Sequence, residues 1–195
     1  MAARTTRFAT AAVLGVLVLS GCNSSESSDK APKPTPTTAA TTLDDGTTTP
    51  GTVLRIGEVA KVRYSATAKN QSLVALKVTS IRKGKISALG DFNLGAKLKK
   101  SNVYFVTVAV KNIGAGDLSG QPLTLYGKVS AGLVVPPVEF GSTFKPCDAQ
   151  PLPRGFKKPK RATVCIVMFA PKKGTITTVE FRAADNADPI SWRRR

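Results

Sequence analysis

The chain of 195 residues contains no histidine, and it has only one tryptophan, three tyrosines and two methionines. Without an imidazole there is no general base for a Ser or Cys nucleophile, and the commonest ligand for zinc or copper is missing. Lysines and carboxylates are the remaining candidates for chemistry, and no constellation of them stands out. An enzyme is therefore not expected, nor a metal or cofactor. Acids are also scarce, at 12 Asp and Glu against 29 Lys and Arg, for a formal charge of +17. Long apolar runs are missing too. The longest, Phe8 to Leu19, has 12 residues, whereas a bilayer core needs about 20.

The charge that is present is unevenly placed. Residues 1–21 carry Arg4 and Arg7 and no acid, and residues 22–52 are slightly acidic. Residues 53–195 hold 25 bases and 8 acids. The basic character thus belongs to the part expected to fold.

Residues 1–22 read MAARTTRFATAAVLGVLVLSGC. Two arginines, a short apolar run and then small residues make the three-part layout of an export signal. Its ending, Leu19-Ser20-Gly21-Cys22, resembles the bacterial lipobox, in which the cysteine sulfur receives a diacylglycerol and the signal is cut just before it. The resemblance implies a signal peptide over 1–21, lipidation of Cys22 and a lipid-anchored address on the extracytoplasmic face of the cell membrane. Two acyl chains hold such a protein stably where one is marginal. Residues 22–52 follow as a Ser/Thr/Pro-rich stretch with Leu43 as its one large apolar side chain. Too little surface can be buried there to offset the entropy of ordering the backbone, so a disordered spacer is expected. Its composition also suits O-glycosylation.

From Val53 onward apolar residues recur at every second position. In NVYFVTVAVKN (102–112), Tyr104, Val106, Val108 and Val110 share one face, while Val103, Phe105, Thr107 and Ala109 share the other. Further strands are expected at 58–65, 72–81, 123–130, 133–140, 162–170, 175–183 and 189–192, with turns at KNIGAGD (111–117) and PKKG (171–174). The second of these reads as a hairpin connection. Helical periodicity is lacking. The expectation is an all-β antiparallel sandwich of about seven to eight strands over 53–195.

NVYFVTVAVKNIG resembles the hallmark strand of an immunoglobulin-like domain of unassigned function, common in lipoproteins of Gram-positive bacteria; the type includes a secreted mycobacterial antigen. FAPKKGTITTVEF is similar to that family's second element. The resemblance spans about residues 55–195 and implies a fold and an extracytoplasmic address. It brings no catalytic residues.

Three cysteines are an awkward number in an exported protein. Lipidation of Cys22 leaves Cys147 and Cys165 as a pair, and a secreted location permits their disulfide. Two free thiols or a two-thiolate metal site are the alternatives, the latter poorly served without histidine. Between the pair lie Arg154, Lys157, Lys158, Lys160 and Arg161 against the lone acid Asp148. This loop either grips a polyanion, such as an envelope polymer or lipid head groups, or is a solvated stretch of a basic protein. Phe156 is the one aromatic beside it, too few for a nucleic-acid stacking platform, and no nucleic-acid partner is expected. NLGAKLKK (93–100) lacks phosphate-loop spacing, DNAD (185–188) lacks the ligands of a calcium loop, and WRRR (192–195) reads as a frayed basic tail. Two roles follow as expectations: a non-enzymatic envelope-binding or scaffolding protein, or an interaction module for a partner protein in a membrane complex.

Overall fold

The computed structural model describes residues 41–90, 92–140, 146–183 and 187–194. The expected signal peptide, Cys22 and residues 23–40 of the spacer lie outside the described residues. Those described belong to one compact unit, Thr37–Arg195, and its sheets, core and disulfide are all internal to it.

The elements in order are β1 (Val53–Arg55), β2 (Val59–Ser65), β3 (Gln71–Lys83), β4 (Asn102–Asn112), β5 (Tyr126–Ser130), β6 (Leu133–Val135), β7 (Pro137–Val138), β8 (Arg161–Ala170), β9 (Thr178–Phe181) and β10 (Ile190–Arg193). A single helical turn, Ala96–Lys99, and two 3₁₀ turns, Ile86–Leu89 and Pro171–Lys173, complete them. The strands form two five-stranded sheets: a front sheet ordered β2-β3-β4-β8-β7 and a back sheet ordered β1-β10-β9-β5-β6. With β4, β8 and β7 in the places of strands B, E and D, and β5, β9 and β10 in those of C, F and G, this is an immunoglobulin-like sandwich. All pairings are antiparallel except β1 with β10, which is parallel.

Three expectations are corrected here. The run 133–140 is two strands in different sheets, because Pro136 and Pro137 offer no N–H to continue a ladder. PKKG does not close a hairpin: it carries the chain from β8 in the front sheet to β9 in the back sheet. WRRR is no frayed tail, since Trp192 is fully buried, Arg193 pairs with Thr178, and the Arg194 N–H donates to the Thr177 carbonyl at 2.9 Å.

Order also begins before Val53. Thr48 N–H donates to the Lys61 carbonyl at 2.8 Å, and its hydroxyl accepts the Lys61 N–H at 3.0 Å. The Thr48 side chain thus completes the pairing a further strand would give, and it covers an edge that would otherwise be open. Composition placed residues 41–52 in the spacer because it measures apolar content, and this contact is made by polar groups.

The alternation in β4 divides as its sequence predicts. Tyr104, Val106, Val108 and Val110 face inward with Val164, Ile166 and Met168 of β8, against Trp192 and Val179 of the back sheet. Burying each such side chain contributes about 1.5–3 kcal/mol. The opposite face is not solvent-exposed along its whole length. Val103, Phe105, Val167 and Phe169 form a second apolar cluster on the outside of the front sheet, capped by Leu89 and Leu94 from the β3–β4 connection. Gly84 opens that connection, and a Cβ there would lie 2.4 Å from the Phe105 ring. Only glycine allows so close a pass.

Candidate functional site

The basic loop predicted between the two cysteines is tied down at both ends. Cys147 and Cys165 are bridged, with Cα atoms 5.3 Å apart. Cys147 is buried in the outer cluster, so the bridge fastens the start of the loop to the exterior of β8. Further on, Leu152 exchanges backbone hydrogen bonds with Gly120 and Gln121, and Phe156 carbonyl accepts the Leu118 N–H at 3.2 Å. Leu152 and Phe156 are both buried in the main core. Gly155, at φ +66°, makes the turn between them and is the residue type that turn requires. Phe156 is therefore no stacking platform for a ligand; it is the plug that holds the loop.

Asn112 organises this end of the sandwich. Fully buried, its side-chain NH₂ donates to the carbonyls of Gly116 and Phe156, both at 2.8 Å. Its side-chain oxygen accepts from the Ser72 hydroxyl at 2.8 Å and the Gly114 N–H at 3.1 Å. The Lys-Asn-x-Gly ending of β4 is thus explained chemically: one amide satisfies groups on three segments. Sequence reading used those residues to recognise a strand end and missed this role.

With its backbone pinned, the loop directs Arg154, Lys157, Lys158, Lys160 and Arg161 into solvent, all of them exposed. Lys157 pairs with Asp117 at 3.7 Å, with both side chains well exposed. Hydrogen bonds from the Ser119 hydroxyl and N–H, with the Lys157 charge beside it, hold the Asp117 carboxyl below the usual aspartate value. The Lys160 ammonium turns back to the Arg154 carbonyl at 3.3 Å. Arg154, Lys158, Lys160 and Arg161 enter no ion pair among the described residues.

The loop does not act alone, because β8 begins at Arg161. In the register of the front sheet, Lys61, Ala75, Lys111 and Arg161 lie in one row across β2, β3, β4 and β8. Val59, Lys77, Ala109 and Thr163 form the next row. This half of the outer face lies beyond the outer cluster. It forms a shallow trough of about 450 Å³, floored by Ala75, Ala109 and Thr163 and edged by Lys77, Lys111 and Arg161. Small side chains at the floor let a ligand approach the sheet, and long cations on the rim can fold over it. Lys61, Lys77 and Lys111 appeared in the sequence only as isolated polar positions of strands. Cross-strand register brings them to one surface with the loop.

A larger cleft of about 530 Å³ lies between Gly120–Thr124 and Pro137–Phe140, over Val164–Val167 of β8; among the described residues no Lys or Arg lines it, and Glu139 is its one charged residue. Along β8, β7 pairs only with Val167 and Met168, so the strand edge at Val164–Ile166 takes no strand partner among the described residues. No three of Cys, Asp and Glu come together as a metal site among the described residues, and of DNAD only Ala187 and Asp188 are described. Compared with protein-family models, with curated proteins and with solved structures, the chain matches none.

Proposed function

We propose that the chain is a lipid-anchored, non-enzymatic protein of the extracytoplasmic face of a Gram-positive cell membrane, and that its immunoglobulin-like domain binds an anionic envelope polymer. Cys22 would carry the lipid, and residues 23–40 would set the domain at a distance from it. The observation that carries the binding role is the joined basic surface. Arg154, Lys158, Lys160 and Arg161 of the loop adjoin Lys111, Lys77 and Lys61 of the sheet, without acidic partners among the described residues. Long cations around a shallow floor suit a linear polyanion, whose charges can be met one after another along the row.

The test measures binding of unit 37–195 to a poly(glycerol phosphate) wall polymer at low and high ionic strength. Affinity should fall steeply with salt, and Lys77→Gln/Lys111→Gln should weaken it at low salt. No binding at low salt removes the proposal. In cells, Cys22→Ala should move the full chain out of the membrane fraction, and an unchanged distribution removes the anchor.

A partner protein is the second reading, favoured by the cleft whose described lining has Glu139 as its one charged residue, beside an edge of β8 that takes no strand partner among the described residues. An extended peptide could add a strand there. Capture of one defined partner that survives moderate salt would select this reading over the first.

A further inference from the structure

A second concentration of cations is assembled by the fold from segments far apart in sequence. At the end of the front sheet where β4 begins, three segments meet. Lys83 closes β3 opposite Tyr104, and Lys85 follows as the chain turns. The helical turn Ala96–Lys99 supplies Lys97 and Lys99, with Lys100 next. Ser101 binds back onto this turn, its hydroxyl donating to the Lys97 carbonyl at 3.0 Å. The third segment is PKKG, bearing Lys172 and Lys173. The side-chain NH₂ of Asn102 donates to the carbonyls of Lys173 and Gly174, at 2.8 and 3.0 Å, and so seals the third segment to the second. All seven lysines are exposed. None is in an ion pair among the described residues; Asp91, the one acid of the β3–β4 connection, lies outside them.

A second observation singles out the PKKG turn. Lys172 and Lys173 both adopt left-handed backbone conformations, at φ 52° and 55°. An L side chain there crowds its own carbonyl, and such positions normally go to Gly or Asn. The turn's backbone is held by Asn102, but the two lysine side chains add nothing to packing, since neither is buried. Lysines at two positions where glycine would relieve the backbone point to side chains kept for what they contact outside the fold.

We infer that this end of the sandwich is a docking surface for an anionic phospholipid bilayer. The kind of cation argues for a bilayer. Every member is a lysine, a point charge on a mobile stem suited to phosphates spread over a surface. The nearby Arg82 is occupied over the Phe105 ring, 5.3 Å from its centre. The aromatic side chains of this region, Phe92 and Phe105, are packed into the outer cluster, which leaves attraction to head groups as the binding force. The inference rests on the proposed lipid anchor for its setting, because a single tether and a polybasic surface reinforce one another at a membrane. It uses none of the polymer-binding residues: the rows of Lys111 and Asn102 lie at opposite ends of β4, about 30 Å apart at the rise of an extended strand. One end would face the membrane while the other meets the wall.

Vesicle flotation of unit 37–195 tests this, with neutral phosphatidylcholine vesicles against vesicles containing about a third phosphatidylglycerol. The wild-type unit should float with the anionic vesicles only. Lys172→Gly/Lys173→Gly should weaken that binding at least tenfold, from about fivefold per lysine. Its melting temperature should equal or exceed that of the wild type, since glycine relieves both backbone positions. Lys97→Gln/Lys99→Gln/Lys100→Gln should weaken vesicle binding similarly, whereas Lys77→Gln/Lys111→Gln should leave it intact. Absence of wild-type binding at low salt overturns the inference, as does full binding by the glycine variant. A lower melting temperature for that variant also overturns it, because the lysines would then be holding the turn. Failure of the polymer proposal would appear with the wall polymer and the Lys77/Lys111 variant, and is read separately.

Discussion

The two ends of the front sheet carry comparable positive charge and are built in opposite ways. Where β4 ends, most of the cations come from one run of sequence, 154–161, joined by Lys61, Lys77 and Lys111 of the sheet. The loop is plugged into the core by Leu152 and Phe156, fixed through Asn112, and partly neutralised by Asp117. Where β4 begins, the cations come from three separated segments, no side chain among them is buried, and two sit on strained backbone. A basic run in sequence is therefore a poor guide to where bare charge accumulates. The fold pins and offsets the conspicuous cluster and leaves the dispersed one open.

The largest effect that bears on this contrast belongs to Asn112. Asn112→Ala removes four hydrogen bonds: the Gly116 carbonyl and the Ser72 hydroxyl lose their side-chain partner, while the Phe156 carbonyl keeps only the Leu118 N–H and the Gly114 N–H keeps only the Leu73 carbonyl. Unmade buried hydrogen bonds of this number should lower stability by about 3–5 kcal/mol, measurable by urea denaturation. Hydrogen exchange should then quicken first in 113–121 and 152–160. The matching residue at the other end, Asn102, binds two turn carbonyls, one exposed and one half-buried, and its replacement by Ala should cost well under half as much. Equal losses would mean that the two ends are supported alike, and the comparison would fail.

Part of this was legible in the sequence for physical reasons. Strict alternation in 102–112 reports a strand buried on one full face, and its bounds are those observed. The pairing of Cys147 with Cys165 follows from cysteine parity once Cys22 is assigned elsewhere. What stayed hidden depends on contacts between distant segments. Val103 and Phe105 read as the second face of a single strand, and the sequence assigns no face to Val167 and Phe169; only the return of the β3–β4 connection across all four makes a second core. Phe156 looked like a companion to its basic neighbours, because sequence shows adjacency and not the direction a side chain takes. The pairing of β1 with β10 joins the first strand to the last, and three residues are too few to display a period.

The disulfide gives an intermediate effect. Cys147 and Cys165 are 18 residues apart, and closing a loop of that length is worth about 3 kcal/mol in the chain-entropy treatment. Cys147→Ser/Cys165→Ser should lose somewhat less than that, because Leu152 and Phe156 still moor the later part of the loop. Reductant should lower the urea midpoint of the wild-type unit and leave the double variant unmoved. The loss should fall on the loop and on the outer cluster that Cys147 joins. An unchanged wild-type midpoint under reducing conditions would show that the loop is held without the bridge.

Acid should give the smallest effect and should act on one end only. Asp117 and Asp45 are both exposed, and each accepts a hydroxyl and a backbone N–H from the residue two positions on, Ser119 or Thr47. These bonds, assisted by Lys157 and Arg63 respectively, hold both carboxyls below the ordinary aspartate value of 3.8. A depressed folded-state value means that the unfolded chain binds the proton more readily. The stabilisation is complete above the ordinary value and fades as pH falls through the lower folded one. Urea midpoints taken from about pH 6 to about pH 2.5 should therefore decline, and Asp45→Asn/Asp117→Asn should flatten part of that decline. Both aspartates border the half of the sheet that carries the loop and Lys61, so exchange rates around Asn102 and the PKKG turn should be insensitive to the double substitution. Parallel pH profiles for variant and wild type would show that these two turns contribute nothing to the difference between the ends.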